Sequence, residues 1–292
     1  MTKDDVRVGV ELPSNPDPDS IRGSLRSYAE AGFNHVEFCL DIVPLILGGE
    51  VMPEYVDYMA GIFQAFPFSY SAHIGGGLNL RLEDGHELHR KALSSSIEVC
   101  QRLHMSPLVL HYECQSKDLM AETRFRDAHR WAADLAAEKG VLLCLENIEV
   151  EQMEPVVRFV EELAHPNLRM TIDVGHAFLA ANYFHFDFLD AIRLAMPLAA
   201  HMHLSGNTGD FEELRITNRP VYDSLSKGQR FTFGRGDIHA PPLWGRIPYD
   251  EVLRIARDYR GVFLCEYYTQ FFKPFLADTQ KRVREAVLKA RR

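Results

Sequence analysis

The chain has 292 residues, of which 46% are hydrophobic and 25% charged, so it can bury a large core and has the composition of an ordinary globular protein. Its net charge of −9 argues against a broad nucleic-acid surface, which needs clustered Lys and Arg. Nucleic acid is therefore a possible but disfavoured partner. No apolar run is long enough to cross a bilayer, so we expect no membrane partner.

The cysteines indicate the compartment. There are five, an odd number, and no two of them form a CxxC pair. They are Cys39, Cys100, Cys114, Cys144 and Cys265. Scattered cysteines of this kind are typical of reduced thiols rather than of a disulfide framework. We therefore expect a cytoplasmic protein.

Eight short apolar or β-branched runs alternate with longer stretches of helical periodicity. The predicted strands are Arg7–Leu12, His35–Cys39, Ser69–His73, Leu108–Tyr112, Val141–Asn147, Arg169–Val174, Ala200–Leu204 and Val262–Tyr267. The predicted helices are Ser20–Glu30, Glu87–Leu103, Leu119–Lys139, Glu154–Leu163, Asp187–Met196, Tyr249–Tyr259 and a C-terminal helix from about Pro274. This alternation predicts a parallel sheet, and eight strands close it into a barrel. The expected fold is α/β, a (β/α)8 TIM barrel forming a single domain over residues 1–292.

Two loops differ from the short connections elsewhere. The segment at about 205–248 follows the seventh strand and mixes aromatic residues, Arg and Gly, which favours an ordered active-site lid on the C-terminal face. The apolar loop at 41–49 suggests contact with an apolar part of a ligand or with a second subunit, so a homo-oligomer is possible.

Residues of metal-ligating type stand at the ends of the predicted strands or just beyond them. They are His73, His111, Glu146, Asp173, His176, His203, Asp237, His239 and Glu266. Because the carboxyl ends of barrel strands meet at one face, we expect all nine side chains to converge. Three cations would use about nine such ligands if a carboxylate bridges. We predict two or three divalent ions per chain: zinc, or alternatively manganese or iron.

Each of these residues alone has an ordinary interpretation, because a single His at a strand end is more often a hydrogen-bonded core residue. The prediction rests on the common position of all nine. His201 shares a face with His203 but lies one layer deeper, which favours the barrel interior. Cys144 and Cys265 are predicted to face the core. We interpret the other histidines as surface or packing residues: His35, His86, His89, His104, His129, His165 and His185.

Three segments resemble endonuclease IV, the zinc-dependent apurinic/apyrimidinic endonuclease of the xylose isomerase-like barrel superfamily. They are His73-Ile-Gly-Gly-Gly-Leu-Asn79-Leu80, Leu145-Glu146-Asn147 and Asp173-Val-Gly-His176-Ala177-Phe178. The resemblance covers nearly the whole chain and implies a zinc ligand at each of the nine positions. The sugar isomerases and epimerases of that superfamily share only a one-metal set, with His176 beside it. That set corresponds to Glu146, Asp173, His203 and Glu266.

The chain also departs from endonuclease IV. Its first strand reads Val8-Gly9-Val10-Glu11-Leu12, the loop after His73 lacks the aromatic residue that enters DNA, and the lid is longer. These departures favour a small-molecule or phosphoester substrate enclosed by the lid.

The leading hypothesis is a metal-dependent hydrolase of phosphate esters or diesters. Glu146 would bridge two cations, and Glu266 would bind a cation and position the nucleophile. Arg235 and Arg246 are candidate anion clamps, since guanidinium binds phosphate bidentately. Asn79 would bind substrate or cap the following segment.

The alternative hypothesis is a one-metal sugar isomerase or epimerase. Glu146 and Glu266 would then exchange a proton on opposite faces of a carbon beside a carbonyl, and His176 would contact the substrate. A binding protein without catalytic activity is a third hypothesis, against which the complete ligand set argues. The number of bound metal ions separates the first two.

Overall fold

The computed structural model of the chain describes residues 6–15, 17–74 and 76–292. Residues 1–5 of the predicted domain and Gly75 of the predicted glycine-rich loop lie outside them. The barrel strands are β1 (Arg7–Glu11), β2 (His35–Cys39), β3 (Ser69–Ile74), β4 (Met105–His111), β5 (Leu143–Glu146), β6 (Leu168–Asp173), β7 (Ala199–Leu204) and β8 (Val262–Cys265). They pair in parallel around a closed ring, with β1 between β8 and β2. The predicted (β/α)8 barrel is confirmed.

Most of the helices surround the ring on the outside. The helices are α1 (Pro18–Glu30), α2 (Pro53–Phe63), α3 (His86–Leu103), α4 (Leu119–Glu138), α5 (Met153–Leu163), α6 (Val174–Phe184), α7 (Phe188–Ala195), α8 (Leu214–Thr217), α9 (Arg219–Ser224), α10 (Lys227–Phe233), α11 (Tyr249–Ile255), α12 (Thr269–Phe272) and α13 (Leu276–Ala290). Helices α8 to α10 cover the carboxyl end of the ring. Two short 3-10 turns, Met196–Leu198 and Lys273–Phe275, precede β7 and α13. No helix among the described residues has the length and apolar character that a bilayer crossing requires.

Helices α2 and α6 were not predicted from the sequence. Helix α6 begins directly after β6, and its first residues are buried on all sides, so it has no polar stripe that would reveal helical periodicity. The missing pattern matters because α6 carries His176.

Apolar side chains from strands and helices form one continuous core between the two layers. The apolar loop after β2 contributes to it: Val43 and Leu45 are buried there, and Ile46–Leu47 pairs with Glu50–Val51 in a small hairpin. These buried side chains give the loop a packing function.

The segment after β7 forms an ordered cap, which we call the lid (residues 205–248). It contains α8, α9 and α10, and its two ends are joined by paired backbone hydrogen bonds between Gly206 and Ala240. A side chain at Gly206 would meet the carbonyl oxygens of Pro241 and Trp244 at 2.5 Å, so glycine is required for this close approach.

Candidate metal centre

All nine predicted ligand side chains reach the same end of the barrel and form three groups. The first group is His73, His111 and Glu146; the second is Glu146, Asp173, His203 and Glu266; the third is His176, Asp237 and His239. Within each group, one candidate ligand atom per residue lies within 4.8 Å of the others. The strand register explains the convergence, because His111 is paired with Glu146 and Asp173 with His203 at the strand ends.

Glu146 belongs to two groups, and its two oxygens face different partners. Oε2 lies 3.1 Å from Nε2 of His73 and 3.5 Å from Nε2 of His111. Oε1 lies 3.2 Å from Nδ1 of His203. The carboxylate is fully buried and therefore connects the first group to the second.

The second group is built around His203. Its Nδ1 lies 3.1 Å from Oε2 of Glu266 and 3.9 Å from Oδ2 of Asp173. The Asn147 side chain fixes the end of β6, since it donates to the carbonyl of Asp173 and accepts from its N–H, both at 2.9 Å. Three carboxylates thus meet one imidazole nitrogen.

The third group joins α6 to the lid. Asp173 caps α6 by accepting the backbone N–H of His176. Nδ1 of His176 lies 3.0 Å from the carbonyl oxygen of Asn147 and donates a hydrogen bond to it. The other ring nitrogen, Nε2, therefore faces Oδ2 of Asp237 at 3.5 Å. His239 contacts the same carboxylate and has a positive φ of 45°. Strained backbone of this kind is concentrated at functional sites.

The chemistry of these groups fits divalent cations. Each of the three carboxylates of the second group has a buried oxygen with no hydrogen-bond donor among the described residues: Oε2 of Glu146, Oδ2 of Asp173 and Oε2 of Glu266. Burial and the charge of Glu266 raise the pKa of Asp173 well above its ordinary value. Burial alone would lower the pKa of His73, but the carboxylate of Glu146 raises it to about 9. Buried carboxylates crowded in this way require protons or metal ions, and imidazole with carboxylate is a zinc-, manganese- or iron-type ligand set.

Glu37 was not among the residues predicted from the sequence. This fully buried carboxylate on β2 lies beneath the groups, with Oε1 3.0 Å from Nε2 of His203 and Oε2 3.1 Å from Nε2 of His201. Ser71 donates to Glu37 at 2.7 Å, and His35 contacts Ser71 at 2.9 Å. His35 is thus a buried residue inside the barrel and not a surface residue, and His201 occupies the predicted deeper layer.

Glu11 at the end of β1 was also missed. It lines the pocket over the groups, and Cys39 donates a hydrogen bond to its Oε1 at 3.0 Å. Burial and the charge of Glu266 raise the pKa of Glu11 to about 7. Both missed glutamates stand in apolar strands, the same signal that identified Glu146.

The pocket over the groups has a volume of about 340 Å³ and is covered by lid residues. Four cations line it: Arg215, Arg219, Lys227 and Arg230. Arg215 pairs with Glu149 at 2.5 Å and Arg219 with Asp223 at 2.7 Å. The pocket mouth is therefore basic above an acidic floor.

The structure does not bring the three predicted substrate contacts Asn79, Arg235 and Arg246 to this pocket. The Asn79 side chain accepts the N–H of Arg81 at 2.9 Å, a local cap. Arg235 is exposed and lines a separate surface depression beside Asp210. Arg246 is exposed, and its N–H donates to the carbonyl of Asn207. Glycines and bends turn both arginines outward, and the lid cations of α8 to α10 take the positions expected for them.

Fold and site together define a (β/α)8 barrel with candidate metal-ligand groups at the carboxyl ends of its strands. Residues 25–289 match the AP endonuclease 2 family model, described as the xylose isomerase-like TIM barrel, and the chain belongs to this family. No curated protein matches the sequence.

Solved structures similar to this chain include several epimerases. A D-tagatose 3-epimerase-like protein is 18% identical over 98% of both chains, with a TM-score of 0.71. A D-psicose 3-epimerase in the presence of D-fructose is 17% identical over 98% of both chains, with a TM-score of 0.66. A xylose isomerase-like TIM barrel protein from Mycobacterium smegmatis in complex with magnesium is 14% identical over 100% of both chains, with a TM-score of 0.73. Such low identity establishes the shared fold, not shared chemistry. The similarity of this chain to sugar epimerases agrees better with the alternative hypothesis, a one-metal isomerase or epimerase, than with the hydrolase hypothesis.

Proposed function

We propose that this protein is a metal-dependent enzyme, and that it hydrolyses phosphate esters or diesters using more than one divalent cation. The observation that carries the proposal is the position of Glu146, whose two oxygens face two separate groups of ligand-type side chains. A carboxylate in this position is suited to bridging two cations.

The residues have distinct functions in this proposal. Glu146 would hold the first and second groups together, and Asp237 with His176 and His239 would form the third. When bound, divalent cations supply Lewis-acid polarisation of a phosphoryl oxygen and acidify a water molecule. Oε2 of Glu266, which has no hydrogen-bond donor among the described residues, would position that water and accept its proton.

A one-metal sugar isomerase or epimerase is the second candidate, and the comparisons favour it. The second group alone would serve that reaction, with Glu146 and Glu266 as the acid–base pair. The first and third groups favour hydrolysis, because proton exchange beside a carbonyl does not require His111, Asp237 or His239.

The substitution Asp237→Asn separates the two candidates. We would assay metal-loaded protein on 4-nitrophenyl phosphate and bis(4-nitrophenyl) phosphate, and on epimerisation of D-fructose and D-tagatose. For a hydrolase we expect phosphoester turnover to fall by roughly 100-fold or more in Asp237→Asn, because a cation site is lost. Asp210→Asn, an exposed lid carboxylate outside this pocket, is the matched control. Ketose epimerisation retained by Asp237→Asn, with no phosphoester turnover by either form, would contradict the hydrolase.

A further inference from the structure

Two of the four lid cations that line the pocket have no acidic partner. Among the described residues, neither Lys227 nor Arg230 forms an ion pair within 4 Å, whereas Arg215 and Arg219 each do. The Nε of Arg230 is buried without a hydrogen-bond acceptor. A partly buried guanidinium with an unused donor is costly unless a ligand supplies the acceptor.

Aromatic rings hold both cations in place. The Nζ of Lys227 lies 3.8 Å from the centre of the Tyr268 ring, and the Arg230 guanidinium lies 4.2 Å from that of Tyr222. Arg230 also donates to the hydroxyl and the carbonyl of Tyr222, at 3.3 and 3.2 Å. These contacts restrict the two side chains but leave their charge uncompensated.

One of these rings also adjoins the metal-ligand groups. The centre of the Tyr268 ring lies 5.2 Å from that of His239, a member of the third group, and 3.8 Å from Nζ of Lys227. Glu11, the carboxylate that acts on Lys227 from across the pocket, is beyond ion-pair distance. An anion bound by Lys227 and Arg230 would thus lie in the same pocket as the metal-ligand groups.

From this arrangement we infer that the substrate carries a second anionic group, a phosphate, which Lys227 and Arg230 bind beneath the lid. The inference rests on the proposed function for the location of the reacting group. Two cations match the charge of a phosphate dianion, and guanidinium with ammonium is a common pair for binding its oxygens. The cavity of about 340 Å³ has the size of a small-molecule site. The substrate class is therefore a small molecule with two phosphate groups.

Two probes that differ only in the remote phosphate test this inference. Calorimetric affinities of propane-1,3-diol bisphosphate and propyl phosphate would be measured on metal-loaded wild type, Lys227→Met and Lys227→Met/Arg230→Met. We expect wild type to prefer the bisphosphate by about tenfold or more, the single variant to lose part of that preference, and the double variant to keep at most about twofold. Arg235→Met, an exposed lid arginine outside this pocket, should retain the full preference.

Equal affinity of wild type for the two probes, or a preference unchanged in both variants, would overturn the inference. The single variant keeps the test valid if the double variant folds poorly, because the ammonium of Lys227 lies over the Tyr268 ring and forms no hydrogen bond or ion pair with the described residues. If the proposed function is wrong, the result is different. The Glu146→Gln variant would then bind propyl phosphate as tightly as wild type does, whatever the preference for the bisphosphate.

Discussion

Each ring nitrogen of His203 faces carboxylate oxygens, and the carboxylates on the two sides differ in function. Nδ1 faces Glu146, Asp173 and Glu266, whereas Nε2 faces Glu37 at 3.0 Å. A carboxylate behind a ligand histidine fixes the tautomer and the orientation of the ring. Glu37 is therefore placed to keep Nδ1 of His203 available to a cation.

Replacing Glu37 by Gln tests this positioning function. We expect divalent-metal affinity to fall by about 10- to 100-fold, the range typical of lost support behind a ligand. Metal titration followed by the absorption of bound cobalt would measure it. Glu98→Gln, an exposed carboxylate on α3, serves as the control. Unchanged cobalt affinity in Glu37→Gln would show that Glu37 only fills the barrel interior.

The nine ligand-type residues were predictable because six of them end strands that the alternation of apolar runs had already located, and the other three (His176, Asp237 and His239) follow such strands in the sequence. Their distances were not, since these depend on barrel closure and on register. Lys227 and Arg230 were not predicted, because a lid of three short helices has no periodicity that shows which basic side chains point into the pocket. Arg235 and Arg246 look equivalent to them in the sequence, and only the folded lid separates the two pairs.

At the scale of elements, Arg81 joins the segment after β3 to α4. Its side chain is 5% exposed, pairs with Glu122 at 2.6 Å, donates to the carbonyl of Glu113 at 2.7 Å and stacks over Phe125. Neutralising one member of a largely buried pair leaves the other without compensation.

We expect Arg81→Ala to lower the free energy of unfolding by about 2 to 4 kcal/mol. The matched variant Arg126→Ala breaks a pair with Glu162 whose two side chains are about half exposed, so its effect should stay within about 1 kcal/mol. Urea denaturation of both variants measures the difference. Equal losses would contradict the distinction between buried and exposed pairs.

Helix α4 also carries a titratable group in the core. His129 is 1% exposed, lies 2.8 Å from the carbonyl of Phe125 and packs against Phe159. Burial lowers the pKa of His129 to about 4, whereas an unfolded histidine titrates near 6.5. The unfolded chain therefore binds more protons between these values, and the stability that His129 contributes is lost as the pH falls from about 6.5 to 4.

Comparison of wild type with His129→Leu isolates this effect from other titrations. The wild-type free energy of unfolding, relative to that of the variant, should decline by at most about 3 kcal/mol between pH 6.5 and 4 and be constant above and below this range. Denaturation series at half-unit pH intervals would show it. Parallel curves for the two proteins would disprove the assignment.

At the scale of the whole molecule, the barrel explains why chemistry and family can diverge. The ring of strands brings any polar residues at its carboxyl ends together, so epimerases and hydrolases can use the same scaffold. The (β/α)8 fold was predictable from eight alternating runs, whereas α2 and α6 were not. The lid contributes the basic half of the pocket, while bound cations would offset the acidic half and part of the net charge of −9.

The most direct test of the central claim is the number of metal ions held by the purified chain. Elemental analysis should find two or three equivalents of divalent metal per chain, falling by one in Asp237→Asn, because Asp237 belongs to the third group alone. A single equivalent in wild type, unchanged in Asp237→Asn, would contradict the multinuclear site and favour the one-metal isomerase or epimerase.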